Sequence, residues 1–162
     1  MLLSEAGLCR VRTSSELLAD IDAIATSLNI FTSAAIDFEG DVSQLLELGT
    51  SETALDTSIK ATNTLALITP PLSSADSNDI YTAIRALVPS IQASLAAVVA
   101  KKAAFTTAGV LTIVIGNVEL LKEDTATLSE SIGAIASSDV KPKLVAVQIE
   151  IDSAFNATQA AL

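Results

Sequence analysis

The sequence predicts an all-α protein, an antiparallel bundle of five helices. Three observations predict it. Apolar residues recur at steps of three and four along five separate stretches, glycines or prolines fall between those stretches, and no stretch alternates with the period of a strand. The β-branched TIVIG run around Thr112 sits inside a longer helical period and does not compete.

The first helix is expected to begin near Ser14, because Thr13 and Glu16 have the S/T-x-x-E spacing of a capping box. That leaves residues 1–13 as an N-terminal extension and 14–162 as a single helical domain. Leu17, Ile21, Ile24, Leu28, Phe31, Ala35 and Phe38 then step by four and three, an a/d seam that Gly40 ends. Asp41 can cap a second helix over Val42 to Leu67, with Leu45, Leu48, Leu55, Ile59, Thr62 and Leu65 on one face. Gly49 and the polar run Thr50 to Thr53 weaken its middle, and Thr69-Pro70-Pro71 stops it.

The third helix is expected to be the longest, from Ser77 or Asp79 as cap to Gly109 as a left-handed stop. Its stripe is Ile80, Ile84, Leu87, Ile91, Leu95, Val98 and Phe105. A helix of roughly thirty residues spans about 45 Å. Pro89 removes one backbone donor and crowds the carbonyl of Arg85, which predicts a kink. A fourth helix follows with Leu111, Val114, Val118, Leu121, Thr125, Leu128, Ile132 and Ile135 in step. Val140 to Leu162 forms the fifth, with Pro142 tolerated in its first turn and Leu144, Val147, Ile151, Phe155 and Thr158 on its face.

Composition removes most function classes. A net charge of −10 over 162 residues argues against nucleic acid and anionic membrane surfaces, which need cationic patches. The chain has no histidine, so a Ser-His-Asp triad, a Cys-His pair and the usual zinc sites are excluded. No P-loop and no G-x-G-x-x-G occurs. Asp37, Glu39 and Asp41 surround a helix junction, but without the spaced ligands of an EF-hand they are expected to be solvated caps rather than a calcium site. The carboxylate pairs Asp20/Asp22 and Glu119/Glu123 read as surface charge. The expectation is a protein that is not an enzyme, with no metal and no cofactor.

The single Cys9 cannot form an internal disulfide and does not report the compartment. Met1 to Arg12 does not read as a secretory signal, because Glu5 interrupts its short apolar run and the basic residues follow it. No membrane span is expected, since the longest uncharged run, Ala103 to Val118, contains Gly109, Gly116 and Asn117 and falls short of about 18 residues. The interior admits two readings. Four Phe and one Tyr are few bulky fillers for five helices, and Thr62, Ser94 and Thr125 interrupt apolar seams, which suggests internal space. The simpler reading is close helix approach, with each hydroxyl bonding the carbonyl four residues back.

LVPSIQASLAAVVAKKAAFTTAG, from Leu87 to Gly109, resembles the third-helix signature of the fungal hydrophobic surface-binding protein A family. That family includes the ligand-binding repeats of antigenic cell-wall galactomannoproteins. The I-x-x-I-x-x-x-L-x-x-F segment from Ile21 to Phe31 and LSSAD from Leu72 to Asp76 are similar too, so the resemblance spans about Ser14 to Leu162. It implies a five-helix domain around a central apolar cavity, secretion to the wall or medium, and binding of long-chain fatty acids such as arachidonic acid. A signal peptide and a Ser/Thr-rich stalk with a lipid-anchor tail, both family-like, are not seen here.

Carried onto this chain, the resemblance implies a cavity lined by Ile24, Leu28, Phe31, Leu65, Ile84, Leu87, Ile91, Leu95, Val114, Val118 and Leu121. Thr125, Ser94 and Thr62 are the expected head-group partners; Lys101 and Lys102 are further candidates, although their simpler reading is charge that favours the C-terminus of the third helix through its dipole. Asn156-Ala157-Thr158 is a glycosylation sequon compatible with secretion. Burying about fourteen methylenes at ~0.8 kcal/mol each yields ~11 kcal/mol gross, enough to offset the several kcal/mol lost on association. The expected partner is therefore a fatty acid or other long-chain lipid, with homo-oligomers compatible. The alternative is a structural protein that adsorbs to apolar surfaces and recruits hydrolases, and the two differ in stoichiometry.

Overall fold

The apolar seams become helices packed side by side in a computed structural model that describes residues 3–162, with side chains from Ser14 onward. Among the described residues there are six helices: α1 (Leu3–Asp37), α2 (Val42–Ile68), α3 (Ser74–Ala100), α4 (Lys102–Thr107), α5 (Leu111–Ile135) and α6 (Lys141–Ala161). The expected count of five is corrected, because the predicted third helix breaks at Lys101, whose φ of −97° and ψ of 8° leave the helical region. The break turns α4 across the end of the bundle, where Phe105 stacks on Phe38 of α1 with ring centroids 5.0 Å apart. Both rings are fully buried. The seam could not reveal this, since Val98 and Phe105 are a heptad apart whether the helix is continuous or broken at one residue.

Two expected starts also move. The first helix begins at Leu3 and runs through Ser14, so it does not start at the predicted box; the Thr13 side chain and Cys9 lie outside the described side chains. The third is capped by Ser73, whose side chain accepts from the Asp76 N–H at 3.1 Å. Ser77 instead lies buried inside α3 and accepts from the Ser137 N–H at 2.9 Å, which ties the α5–α6 loop to this helix. The other boundaries stand as expected. Asp41 caps α2 in a reciprocal box with Gln44, and Pro142 sits in the first turn of α6. α3 continues through Pro89 without interruption.

The long helices form a closed ring in the order α2, α1, α3, α6, α5 and back to α2, each packed against two neighbours. Helices consecutive in the chain run antiparallel, yet three ring pairs run parallel. Ser14–Asp76, Thr32–Ser94 and Glu39–Lys101 join α1 to α3 at a constant offset of 62 residues, which only parallel helices can hold. Ser74–Asp139, Asn78–Lys143 and Arg85–Glu150 do the same between α3 and α6 at an offset of 65. In the third pair, α2 and α5, Leu45 and Leu48 wall one apolar space with Val114 and Val118, and Leu55 and Ile59 wall the next with Leu121 and Thr125, so both helices advance in the same direction. The rungs at Glu39–Lys101 and between α3 and α6 are exposed and contribute little stability individually, whereas Ser14–Asp76 and Thr32–Ser94 are part-buried. They set the register of the apolar faces behind them.

Ring closure has a geometric consequence. Five cylinders with interaxial distances of about 8–10 Å hold their axes roughly 8 Å from the common centre, farther than the four of a square bundle. The middle must be filled by side chains reaching inward, and bulky ones are few. By length and composition α3 is also long and apolar enough to cross a membrane, contrary to the expectation from uncharged runs. In this fold it packs between α1 and α6.

Gly109 has a φ of +74° in the turn from α4 to α5, and a Cβ added there would meet nothing within 4 Å. Gly109→Ala therefore isolates the backbone penalty. The expected loss is about 1 kcal/mol, measured by urea denaturation, with no change in helix content. A neutral result would show that the turn relaxes into a right-handed conformation.

Candidate functional site

Inside the ring the apolar space is divided. A pocket of about 240 Å³ lies under α4, walled by Phe31 of α1, Leu45 and Leu48 of α2, Val98 of α3, Phe105 of α4, and Val114, Val118 and Leu121 of α5. A smaller space of about 50 Å³ lies deeper, and all five long helices contribute to it, through Ile24 and Leu28, Leu55 and Ile59, Ile91 and Leu95, Thr125, and Phe155. Phe31 and Leu121 line both. They are the partition between the two spaces, each about 5–6% exposed. The larger pocket reaches the surface at Gly49 and at Ile113, an isoleucine left 63% exposed.

The seams explain why these residues meet. Ile24, Leu28 and Phe31 are successive steps of the α1 stripe, and Val114, Val118 and Leu121 of the α5 stripe, so ring closure turns both stripes onto one volume. Of the expected lining residues, Ile24, Leu28, Phe31, Ile91, Leu95, Val114, Val118 and Leu121 border the two spaces. Ile84 instead lines a groove of about 400 Å³ between α5 and α6, which also carries Lys141 and Gln148. Leu87 is buried and Leu65 half-buried in the core, and neither borders these pockets.

The expected head-group residues are already engaged. Thr62 donates to the Ser58 carbonyl at 2.7 Å, Ser94 to the Ser90 carbonyl at 2.9 Å, and Thr125 to the Leu121 carbonyl at 2.6 Å. Each is the bond to the residue four back, the bland reading of a hydroxyl in a helical seam. Ser94 and Thr125 border the deeper space, with Ser94 also paired to Thr32, whereas Thr62 is fully buried away from both spaces. Thr125→Val is accordingly expected to be as stable as the parent, or slightly more so, with lipid affinity within about twofold. A tenfold loss specific to free acids, read by calorimetry, would instead make Thr125 a head-group contact.

Other candidates resolve into structural roles. Lys101 pairs with Glu39 at 2.7 Å and Lys102 donates to the Ala161 carbonyl at 2.9 Å, so neither faces a pocket. Asp41 is a helix cap whose carboxyl is held below its ordinary range by the Ser43 backbone N–H and then the Ser43 hydroxyl. No group of three or more potential metal ligands gathers among the described residues. Asn156 is exposed and accepts from Lys122 at 2.7 Å. The Thr158 hydroxyl of the same sequon is buried and donates to the Ala154 carbonyl at 3.0 Å, so a glycan there must be added before α6 folds.

Two polar residues of the larger pocket escaped the sequence reading. Glu52 and Asn117 line it among otherwise apolar side chains and Gly49. Glu52 follows Leu48 by four and precedes Leu55 by three, and Asn117 stands likewise between Val114 and Leu121. The available signal was seam spacing, which the surrounding polar run in α2 obscured. Burial raises the Glu52 carboxyl above its ordinary range, with repulsion from Asp56 adding to it and Lys60 opposing. The Asn117 amide makes no hydrogen bond among the described residues.

Residues 14–134 match the hydrophobic surface binding protein A family. The fold is similar to that of AfMP4p in complex with palmitic acid, at 32% identity and a TM-score of 0.89, over 91% of this chain and 98% of that one. It is also similar to two ligand-binding domains of the MP1 protein of Penicillium marneffei. Domain 1, complexed with arachidonic acids, is 16% identical with a TM-score of 0.83, over 94% of this chain and 97% of that one. Domain 2, complexed with multiple arachidonic acids, is 18% identical with a TM-score of 0.83, over 93% of this chain and 94% of that one. No curated protein matches the chain by sequence.

Proposed function

This chain belongs to the hydrophobic surface binding protein A family, and we propose that it binds long-chain fatty acids or related lipids inside the helical ring, without catalysing a reaction on them. The observation that carries the reading is the pair of apolar spaces that share Phe31 and Leu121 as walls. Pockets for small ligands commonly run from about 300 Å³ upward, so the 240 Å³ space holds a lipid chain once those two side chains move and the deeper space joins it. The joined volume is the central cavity of the proposal, and residues 14–162 are its lipid-binding unit. Support comes from the palmitic acid complex of AfMP4p, which shares 32% of its residues with this chain and nearly the whole fold.

A gross ~11 kcal/mol for burying about fourteen methylenes remains favourable after association costs. The acidic surface does not oppose this, because the tail supplies the driving force. We place the protein outside the cell or in its wall, on the family resemblance. Native mass spectrometry of protein purified from cells tests the reading directly, with one or two co-purified lipids of fixed mass as the expected result. Delipidated protein that takes up fatty acid without a fixed ratio would replace it with surface adsorption.

A further inference from the structure

We propose that the larger pocket is selective for lipids whose oxygen head group is uncharged, such as a protonated acid or a primary alcohol, and that Glu52 and Asn117 impose the selection. The proposal rests on the lipid-binding reading and names the head-group chemistry of that site.

A carboxylate needs hydrogen-bond donors. The two hydroxyls bordering the deeper space, Ser94 and Thr125, donate to the carbonyls four residues back. No lysine or arginine lines either space. At the wider end the polar groups are one carboxyl and one amide. An ionised Glu52 accepts only, and it repels a second carboxylate. A protonated acid satisfies both residues, its O–H donating to Glu52 and its carbonyl accepting from the Asn117 amide. A carboxylate together with a protonated Glu52 is the same arrangement with the proton on the other partner. In either form a fatty acid enters with one more proton than the two ionised carboxyls hold, taken from solvent.

The charged groups around Glu52 favour keeping that proton. On its own helix Asp56 raises its carboxyl and Lys60 opposes. Lys60 is divided between Asp56 at 2.8 Å and Asp124 of α5 at 3.5 Å, so its charge is committed to that pair. The walls from α1, α3 and α4 are Phe31, Val98 and Phe105, which carry no charge. An alcohol head donates to ionised Glu52 without any proton from solvent.

The test uses dodecanoic acid and dodecanol with the delipidated chain. A free fatty acid ionises near the ordinary carboxyl range, about pH 4–5. Wild-type affinity for the acid is expected to weaken at least tenfold between pH 6 and pH 8, and affinity for the alcohol less than threefold. Glu52→Gln supplies an amide donor, so its acid affinity should lose the pH dependence and exceed wild type at pH 8. Calorimetry of the unmodified protein at pH 7, in two buffers of different ionisation enthalpy, should register close to one proton taken up per acid and none per alcohol. Acid binding by the wild type that is flat with pH, an equal fall in Glu52→Gln, or proton uptake near zero would each overturn the proposal. Failure of both ligands to bind at any pH would reject lipid binding itself, and is distinguishable because the alcohol is blind to proton supply.

Discussion

Leu121→Trp is expected to abolish lipid binding while leaving the ring folded. Leu121 is 5% exposed and lines both apolar spaces, so a larger side chain there fills the junction that a bound chain must cross. In a tightly packed core such an enlargement costs about 1–3 kcal/mol, because neighbours must leave their rotamers. Here the indole enters existing space, so the stability loss should fall below that range. The loss of affinity should exceed a hundredfold, about 2.7 kcal/mol. Displacement of a fluorescent fatty acid measures the affinity, and thermal melting followed by circular dichroism measures the fold. A folded variant with parental affinity would show that the lipid does not cross between α1 and α5.

Phe105→Ala should be the most destabilising single change, at about 3–5 kcal/mol. The side chain is fully buried, and its stack on Phe38, with an interplanar angle of 28°, joins α4 to the end of α1. Only six residues long, α4 cannot hold its own helix without tertiary contacts. About 0.5–1.5 kcal/mol of the loss should belong to the ring pair, isolated by a double-mutant cycle with Phe38→Leu. Because Phe105 also walls the larger pocket, the variant should release bound lipid faster even at low temperature, where it remains folded. Urea unfolding that moves by less than about 1 kcal/mol would mean that the loop glycine and Val110, not the aromatic stack, seat α4.

The two substitutions divide what local sequence determines from what it does not. The α1 and α5 seams, the Asp41 cap, the Gly40 and Gly109 stops and Pro142 at the start of α6 are local, and local chemistry determined them. Periodicity also chose most of the residues that border the two spaces, since an apolar stripe faces whatever encloses it. It could not say which part of a stripe meets packed neighbours and which meets space. Leu87 and Leu65 therefore went to the core, and Ile84 to the α5–α6 groove.

Single positions within strong patterns were equally silent. A break at Lys101 leaves the heptad from Val98 to Phe105 intact, and Ser77 offers the same hydroxyl to a helix cap as to the Ser137 N–H. Glu52 in a polar run reads as surface until α5 closes over it. By itself the sequence determined an all-α chain with five inward stripes and no catalytic imidazole. Tertiary structure decided the ring order, the parallel pairs, the crossing α4 and the two polar residues in the pocket. These depend on contacts about sixty residues apart, whose energies no local window of sequence contains.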